Sequence, residues 1–389
     1  MTEENALSFS FRLPVKIVFG AGSRGDVAAE MEELGVGRAF LITDEYLYNK
    51  NPAMEKLIKR LGSRLAGTFS SVTPDSGFDL IDSAAAAARA AGADCVVSAG
   101  GGSVIDTGKG VAVALKLGGS IRDHMGVNSL PGAVAAHIVL PTTAGTGSEV
   151  TNAAVIYDSA EKRKKNLLDH HIYPNTAILD PEFLAGLPPA ITAATGMDAI
   201  THAIEAMHST MKNPVSDSLA LKALRLMAEW LPVAFAQPDN MEARGHTLIA
   251  ANLAGAAFSN AMVGLCHAIA HGAGAVARIP HGVANSIILP HVMRFNMETA
   301  PDLYAEAAGA LGIWRQDPEE AGRMAACWVE DMAAKLGLPA TLKAAGARED
   351  MLAEIADAAI SDGSALYNPR PVFEAEEVLP VVRMAFGEG

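Results

Sequence analysis

Aromatic side chains make up 5% of the 389 residues, cysteine occurs three times, and the longest basic run is the KRKK at 162–165. Each shortage removes a class of protein. Cys95, Cys266 and Cys327 stand apart in apolar surroundings with no C-x-x-C pair, which argues against a disulfide framework and a thiolate zinc site. A net charge of −14 without a basic cluster excludes nucleic acid and acidic membrane surfaces as partners, since both need a concentrated cationic face. No run of about 18 uncharged apolar residues is present to span a bilayer. The opening MTEENALSFSFRLP lacks the basic-then-apolar pattern of a secretory signal, so a cytoplasmic protein is expected.

Half of the residues are hydrophobic, enough for two packed domains, and Ala, Gly and Met are plentiful. Up to about residue 187 short apolar runs alternate with helical patterns: RAFLITD, ADCVVSAGGGS and HIVLPTTAGTGSE each end in small or polar residues. Runs of that kind, each feeding a helix, predict a mostly parallel sheet covered on both faces, with ligands at the polar strand ends. Beyond GLPPA nearly every segment reads as helix. The expectation is an α/β domain over 1–187 and an all-α domain over 188–389.

Two glycine-rich loops compete for a nucleotide. Gly20, Gly22 and Gly25 have G-x-G-x-x-G spacing after the apolar run ending at Phe19, and Asp44 ends AFLITD where a ribose-binding acid would stand. GGGS at 100–103 follows the fully apolar CVVSA and opens a helix, whose N-terminal dipole and unhindered N–H groups suit a phosphate. The Asp44 carboxylate could equally cap the helix begun by EYLYNK.

Five residues carry metal-ligand spacing. Asp198 and His202 are four apart in GMDAITHAIE, His267 and His271 repeat that interval in LCHAIAHGAG, and His281 follows Pro280. Residues four apart share a helix face, so two such pairs and one loop histidine can converge on one ion. A single histidine on an apolar face is more often a hydrogen-bonded core residue; three within 15 positions each need a partner, and spacing alone leaves both readings open. Asp plus three neutral histidines would suit Fe(II), Zn(II) or another first-row divalent ion. Glu205 and His208 read as supporting or surface groups, and His124, His137, His170, His171, His246 and His291 have no partner at ligand spacing.

GGGSVIDTGKG (100–110), PTTAGTGSEVT (141–151), GMDAITHAIE (196–205) and HAIAHGAGAVARIPHGVAN (267–285) occur in that order. Together they closely resemble the iron-dependent (group III) alcohol dehydrogenases, from FGAGS to the NPR at 368–370. The resemblance implies a dehydroquinate synthase-like fold, with a dinucleotide-binding α/β domain and a helical metal-binding and substrate domain. It implies Asp198, His202, His267 and His281 as metal ligands, with His271 beside nicotinamide and substrate as the proton relay.

It also places the NAD pyrophosphate at Gly101, Gly102 and Ser103, where a methyl on Gly102 is expected to intrude. GAGSRG becomes a structural turn after a β element that precedes the nucleotide-binding sheet. Asp44 falls on the adenosine ribose, favouring NAD over NADP; Thr142 and Thr143 on phosphate and nicotinamide; Thr151 on a further cofactor contact; Lys164 near the nicotinamide ribose, with Lys165 one step away. Asp75 stands where many relatives carry Asn on the adenosine side. Asp106, Ser148 and Glu149 read as capping or packing residues, and Phe258 and Tyr367 as pocket walls or core residues. The function expected is an NAD-dependent, divalent-metal-dependent oxidoreductase interconverting a primary alcohol or diol and its aldehyde, as a homodimer or larger homo-oligomer. A glycerol-dehydrogenase or dehydroquinate-synthase type enzyme on the same fold, or a metal-dependent hydrolase, are the alternatives.

Overall fold

The structure, a computed structural model, describes residues 8–161 and 163–388. Its strands are β1 (Lys16–Phe19), β2 (Ala39–Ile42), β3 (Leu65–Phe69), β4 (Cys95–Gly100), β5 (Gly126–Val127), β6 (Ala136–Pro141), β7 (Ala153–Asp158), β8 (Arg163–Leu168) and β9 (Thr176–Leu179). Six of them form one parallel sheet in the order β1-β9-β6-β4-β2-β3. Helices α1 (Val27–Glu33), α2 (Glu45–Lys50), α3 (Pro52–Leu61), α4 (Phe78–Ala90) and α5 (Gly102–Leu117) accompany it.

Every residue of β2, β4 and β9 is buried, as both-face coverage demands. Alternation along the strands divides the packing. Leu41, Cys95, Val97 and Ala99 join α1 and α3 in one apolar cluster, while Phe40, Ile42 and Val96 join α4 in another.

Two expectations need correction. The KIVFG strand is not set apart from the nucleotide-binding sheet: it is that sheet's edge strand, paired in parallel with β9. HIVLPTTAGTGSE does not feed a helix either. A short turn at Ser148–Val150 leads into the antiparallel hairpin β7–β8, with β5 beside β8. AAVIYD alternates half-buried and buried positions, a period-two pattern that fits a strand with one covered face.

The remaining chain is helical: α6 (Pro189–His208), α7 (Pro214–Ala236), α8 (Met241–Ala261), α9 (Leu265–Ala277), α10 (His281–Met297), α11 (Pro301–Ala310), α12 (Pro318–Lys335), α13 (Leu352–Ile360) and α14 (Ala375–Phe386). Prolines start several of them because the first turn has no use for that N–H. Asn213 caps α7 by accepting from the N–H groups of Val215 and Ser216. The first apolar cluster continues without a break from the sheet into α6, α8 and α9, so the helical layer is built onto the sheet by core packing. No single helix among the described residues is long and apolar enough to cross a membrane.

One buried group ties this core to pH. His137 on β6 bonds through Nε2 to Ser98 Oγ at 2.8 Å, and its Nδ1 has no partner among the described residues. Burial, helped by the Lys109 charge, pulls its pKa down to about 3. In the unfolded chain the imidazole takes a proton near pH 6.5, whereas in the folded chain it does not until about pH 3. Stability from this group is therefore present above about pH 6.5 and is lost as pH falls from there toward 3, by a few kcal/mol in order of magnitude. Urea midpoints across that range should decline in the wild type and decline less steeply in His137→Gln.

Candidate active site between the sheet and the helical layer

Asp198 and His202 sit one turn apart on α6, and His267 and His271 one turn apart on α9. Pro280 ends the preceding turn so that His281 is the first residue of α10. These three elements bring one donor atom each from Asp198, His267 and His281 to within 4.8 Å of one another. Asp198 Oδ1 lies 3.4 Å from His281 Nε2 and 3.8 Å from His267 Nε2. Asn285, one turn into α10, donates to the same Asp198 oxygen at 2.8 Å.

His202 lies beside this group. Its Nδ1 is 4.0 Å from Asp198 Oδ2, and its ring stacks between those of His267 (centroids 4.6 Å apart) and Phe258 (4.3 Å). That nitrogen is buried with no hydrogen-bond partner among the described residues, an arrangement that calls for a ligand. Burial lowers the His202 pKa to about 4 and the His281 pKa well below its usual value, so both imidazoles are neutral donors at pH 7. The set fits a divalent cation: a buried carboxylate with the His267 and His281 nitrogens close to it, and the unpartnered His202 nitrogen beside them.

Two acids support the histidines. Glu205, fully buried, accepts from His267 Nδ1 and from the Cys266 N–H at 2.8 Å. A proton held on Nδ1 leaves the His267 Nε2 lone pair facing Asp198. The signal was in the sequence, since Glu205 lies three residues after His202 on one helix face, in the buried stretch of α6. Asp362 is different. It accepts from His271 Nδ1 at 2.7 Å and from the Ser364 N–H at 2.8 Å, yet it is 91 residues from His271, and only folding joins them. Burial pushes its carboxyl up, but His271 and Ser364 outweigh that and hold it below its ordinary range. The His271 ring packs 5.2 Å from that of His281, centroid to centroid. Tyr367 ties the neighbouring turn down through its carbonyl, which accepts from the Thr210 N–H.

Across from this cluster lie the strand ends. Gly101 caps α5 directly after β4, so Gly101, Gly102 and Ser103 stand partly exposed at a helix N-terminus. Packing within the protein gives a further reason for glycine here. A Cβ on Gly102 would meet Thr146 Cγ2 at 2.8 Å, and one on Gly101 would meet Thr143 Oγ1 at 3.4 Å. The missing side chains let the 142–147 loop close against α5. Thr142, buried, donates its N–H to the Gly100 carbonyl at 3.0 Å.

Asp44 follows β2 and caps α2, with Oδ1 accepting from the Leu47 N–H at 2.9 Å. Asp75 has φ 54° and pairs with Lys164 at 2.7 Å, while its N–H donates to Ser103 Oγ. Lys164 also bears on His281, where its charge opposes protonation, whereas Lys165 is held by Asp158 and Glu161. Thr151 is 2% exposed and turned inward, its hydroxyl accepting from Lys109 Nζ at 3.0 Å.

GAGSRG is a turn held from within. Gly22 has φ 84°, and the N–H groups of Gly22 and Arg24 both donate to Asp180, so a carboxylate occupies the seat a phosphate would need.

Residues 14–181 match the family described as iron-containing alcohol dehydrogenase, and residues 192–386 match the C-terminal part of the Fe-containing alcohol dehydrogenase family. The chain belongs to the iron-containing alcohol dehydrogenase family. It is 34% identical over 380 residues to an NAD-dependent methanol dehydrogenase of Bacillus methanolicus, covering 97% of this chain and 99% of that one. It is 36% identical over 385 residues to a 1,3-propanediol dehydrogenase of Klebsiella pneumoniae, covering 97% and 99%. The crystal structure of a 1,3-propanediol oxidoreductase superposes with a TM-score of 0.94 at 34% identity, covering 97% of this chain and all of the other. Sulfoacetaldehyde reductase from Bifidobacterium kashiwanohense, solved with NAD+, superposes at 0.89 with 28% identity over 99% of this chain and all of the other. The enzyme class is thus alcohol dehydrogenase or aldehyde reductase of the iron-containing type.

His267→Ala removes one donor from the tight group and should abolish retention of a divalent ion through gel filtration, with the helical circular dichroism signal preserved. Glu205→Gln keeps the donor but loosens its orientation, and should weaken metal affinity by roughly 10- to 100-fold. Metal analysis of the purified variants checks both, and full occupancy in His267→Ala would exclude this site.

Proposed function

We propose that this member of the family is an NAD-dependent, divalent-metal-dependent oxidoreductase that interconverts a primary alcohol or diol and its aldehyde. The observation that carries the reading is the closed Asp198–His267–His281 group with the unpartnered Nδ1 of His202 beside it. His271 stands next to that group and Lys164 bears on it from the nucleotide-binding side. NAD is supported by two of the relatives, one an NAD-dependent methanol dehydrogenase and one solved with NAD+. Ferrous iron is the preferred ion on family grounds, and zinc suits the same borderline donors.

Asp198, His202, His267 and His281 would hold the ion, and Gly101, Gly102, Ser103, Thr142 and Thr143 the cofactor phosphates and nicotinamide. When bound, the ion supplies polarisation of the alcohol or aldehyde oxygen and the nicotinamide supplies or accepts hydride. The chain does the rest. Asp362 fixes the proton of His271 on Nδ1, which leaves Nε2 free to take the alcohol proton or, after protonation, to return it to the aldehyde. Phe258, stacked on His202, keeps an apolar wall on one side and limits water. Lys164, anchored by Asp75, would sit at the nicotinamide ribose. Asp44 spends one oxygen on the α2 cap and makes no other side-chain hydrogen bond among the described residues, so the second oxygen can accept from ribose hydroxyls.

A cytoplasmic homo-oligomer is part of the proposal. Phe9, Leu13, Ile17 and Phe19 are all exposed along the N-terminal segment and the β1 edge, an apolar border that a second subunit would cover.

The decisive experiment is aldehyde-dependent oxidation of NADH and NADPH by protein loaded separately with Fe(II) and Zn(II). A 2′-phosphate opposite Asp44 meets like charge, worth a few kcal/mol in order of magnitude at an effective dielectric near 20. NADH should therefore be favoured by roughly 10²-fold in kcat/KM, and Asp44→Gly should narrow the gap. Equal use of both cofactors by the wild type would remove Asp44 from the site. Asp362→Asn should lower kcat by roughly 10²-fold while metal content and the KM for NADH hold, because the side chain that Asp362 orients is the relay imidazole. Unchanged kcat would show that the pair is merely structural.

A further inference from the structure

Lys109 is a charged residue that the proposed chemistry does not use, and it is completely buried. It lies on α5, two turns after the Gly101–Ser103 cradle. Its Nζ donates to Ser148 Oγ (2.9 Å), Thr151 Oγ1 (3.0 Å) and the Ala153 carbonyl (2.6 Å), which uses all three of its protons on one short segment. Asp106, one turn earlier on α5, grips the same segment. One oxygen accepts from Ser148 Oγ and the other from the Val155 N–H at 3.0 Å. The two charges are themselves 3.7 Å apart.

The far side of that segment is fastened to the helical layer. Glu149 accepts from Asn252 on α8 at 2.9 Å, and the Asn152 side chain accepts from Ser259 Oγ at 3.2 Å. Gly147 and Gly255 touch through their backbones, where a Cβ on Gly147 would stand 2.5 Å from Gly255 Cα. Residues 147–155 therefore form a bar with α5 on one side and α8 on the other. Phe258, which stacks on His202, and Ser259 are neighbours on that same α8.

We propose that Lys109, together with Asp106, is a positioning residue. By locking segment 148–155 onto α5 it holds the cofactor-phosphate cradle at a fixed distance from α8, whose Phe258 stacks on the His202 ring. The inference rests on the cofactor reading given above. Stability alone gives a poor account of the lysine. Burial lowers its pKa to about 8, so its ammonium is carried at neutral pH against a desolvation cost that an apolar side chain would not have. Thr151, expected to touch the cofactor, acts here as part of the lock.

The test compares wild-type and Lys109→Met enzyme, both metal-loaded, by NADH fluorescence titration, steady-state kinetics, metal analysis and thermal unfolding. The expected result is an NADH dissociation constant raised roughly tenfold or more and a lowered kcat, with metal content and aldehyde KM retained and the unfolding midpoint within a few degrees of wild type. A fallen midpoint with wild-type NADH binding and kcat at a temperature where the variant is folded would overturn the proposal. Should Lys109→Met fail to fold, Ser148→Ala decides, because it removes the hydroxyl shared by both charges and leaves the charges in place. It should weaken NADH binding by roughly threefold or more, and unchanged binding would overturn the proposal. Wild-type enzyme that binds no NADH would overturn the cofactor reading and this inference together, and that result appears before any variant is made.

Discussion

A carboxylate that has lost its water must be answered by the groups around it, and the Asp198 carboxylate, 3% exposed in the middle of α6, is the point on which this site depends. Burial alone would push its proton affinity up. The neighbouring imidazoles and the Asn285 amide reverse that and hold its pKa below the ordinary value. The same demand reaches outward: Glu205 accepts a hydrogen bond from His267 Nδ1, which orients the ring with Nε2 toward Asp198. Glu205 in turn is bound by the Cys266 N–H at the start of α9. Three helices are thereby fixed relative to one another by polar contacts at their crossing, inside an otherwise apolar stack.

The second half of the site follows from the sheet. Parallel strands direct their carboxyl ends to one edge, and β2, β4 and β6 deliver Asp44, the GGGS loop and the 142–147 loop side by side there. Glycine in GGGS serves a packing purpose, since Thr143 and Thr146 fill the space its side chains would take. The α5 N-terminus remains available to an anion. Segment 147–155 then joins this edge to α8 through buried contacts.

The N-terminal GAGSRG shows why a glycine pattern by itself says little about phosphate. It follows a strand, has the right spacing and opens toward a helix. Its amides, however, already donate to Asp180, whose charge is balanced by the buried Arg24 guanidinium. Nothing in the local residues distinguishes this loop from a nucleotide cradle; a residue more than 150 positions away does.

Period and spacing in the sequence determined the alternating α/β half, the helical half and the i, i+4 pairs Asp198/His202 and His267/His271, because those features depend on neighbours within a turn or a strand. The family resemblance rested on the same local motifs. Tertiary structure decided what depends on distant partners. It joined Asp362 to His271, turned Thr151 and Lys109 inward, made AAVIYD a hairpin strand by covering one of its faces, and paired Lys164 with Asp75 and Lys165 with Asp158 and Glu161. It also gave Asp44 a capping bond that local sequence could only offer as one of two uses. A residue's chemistry is local, whereas the partner that directs it is set by how the chain returns on itself, and that is where the reading from sequence stopped.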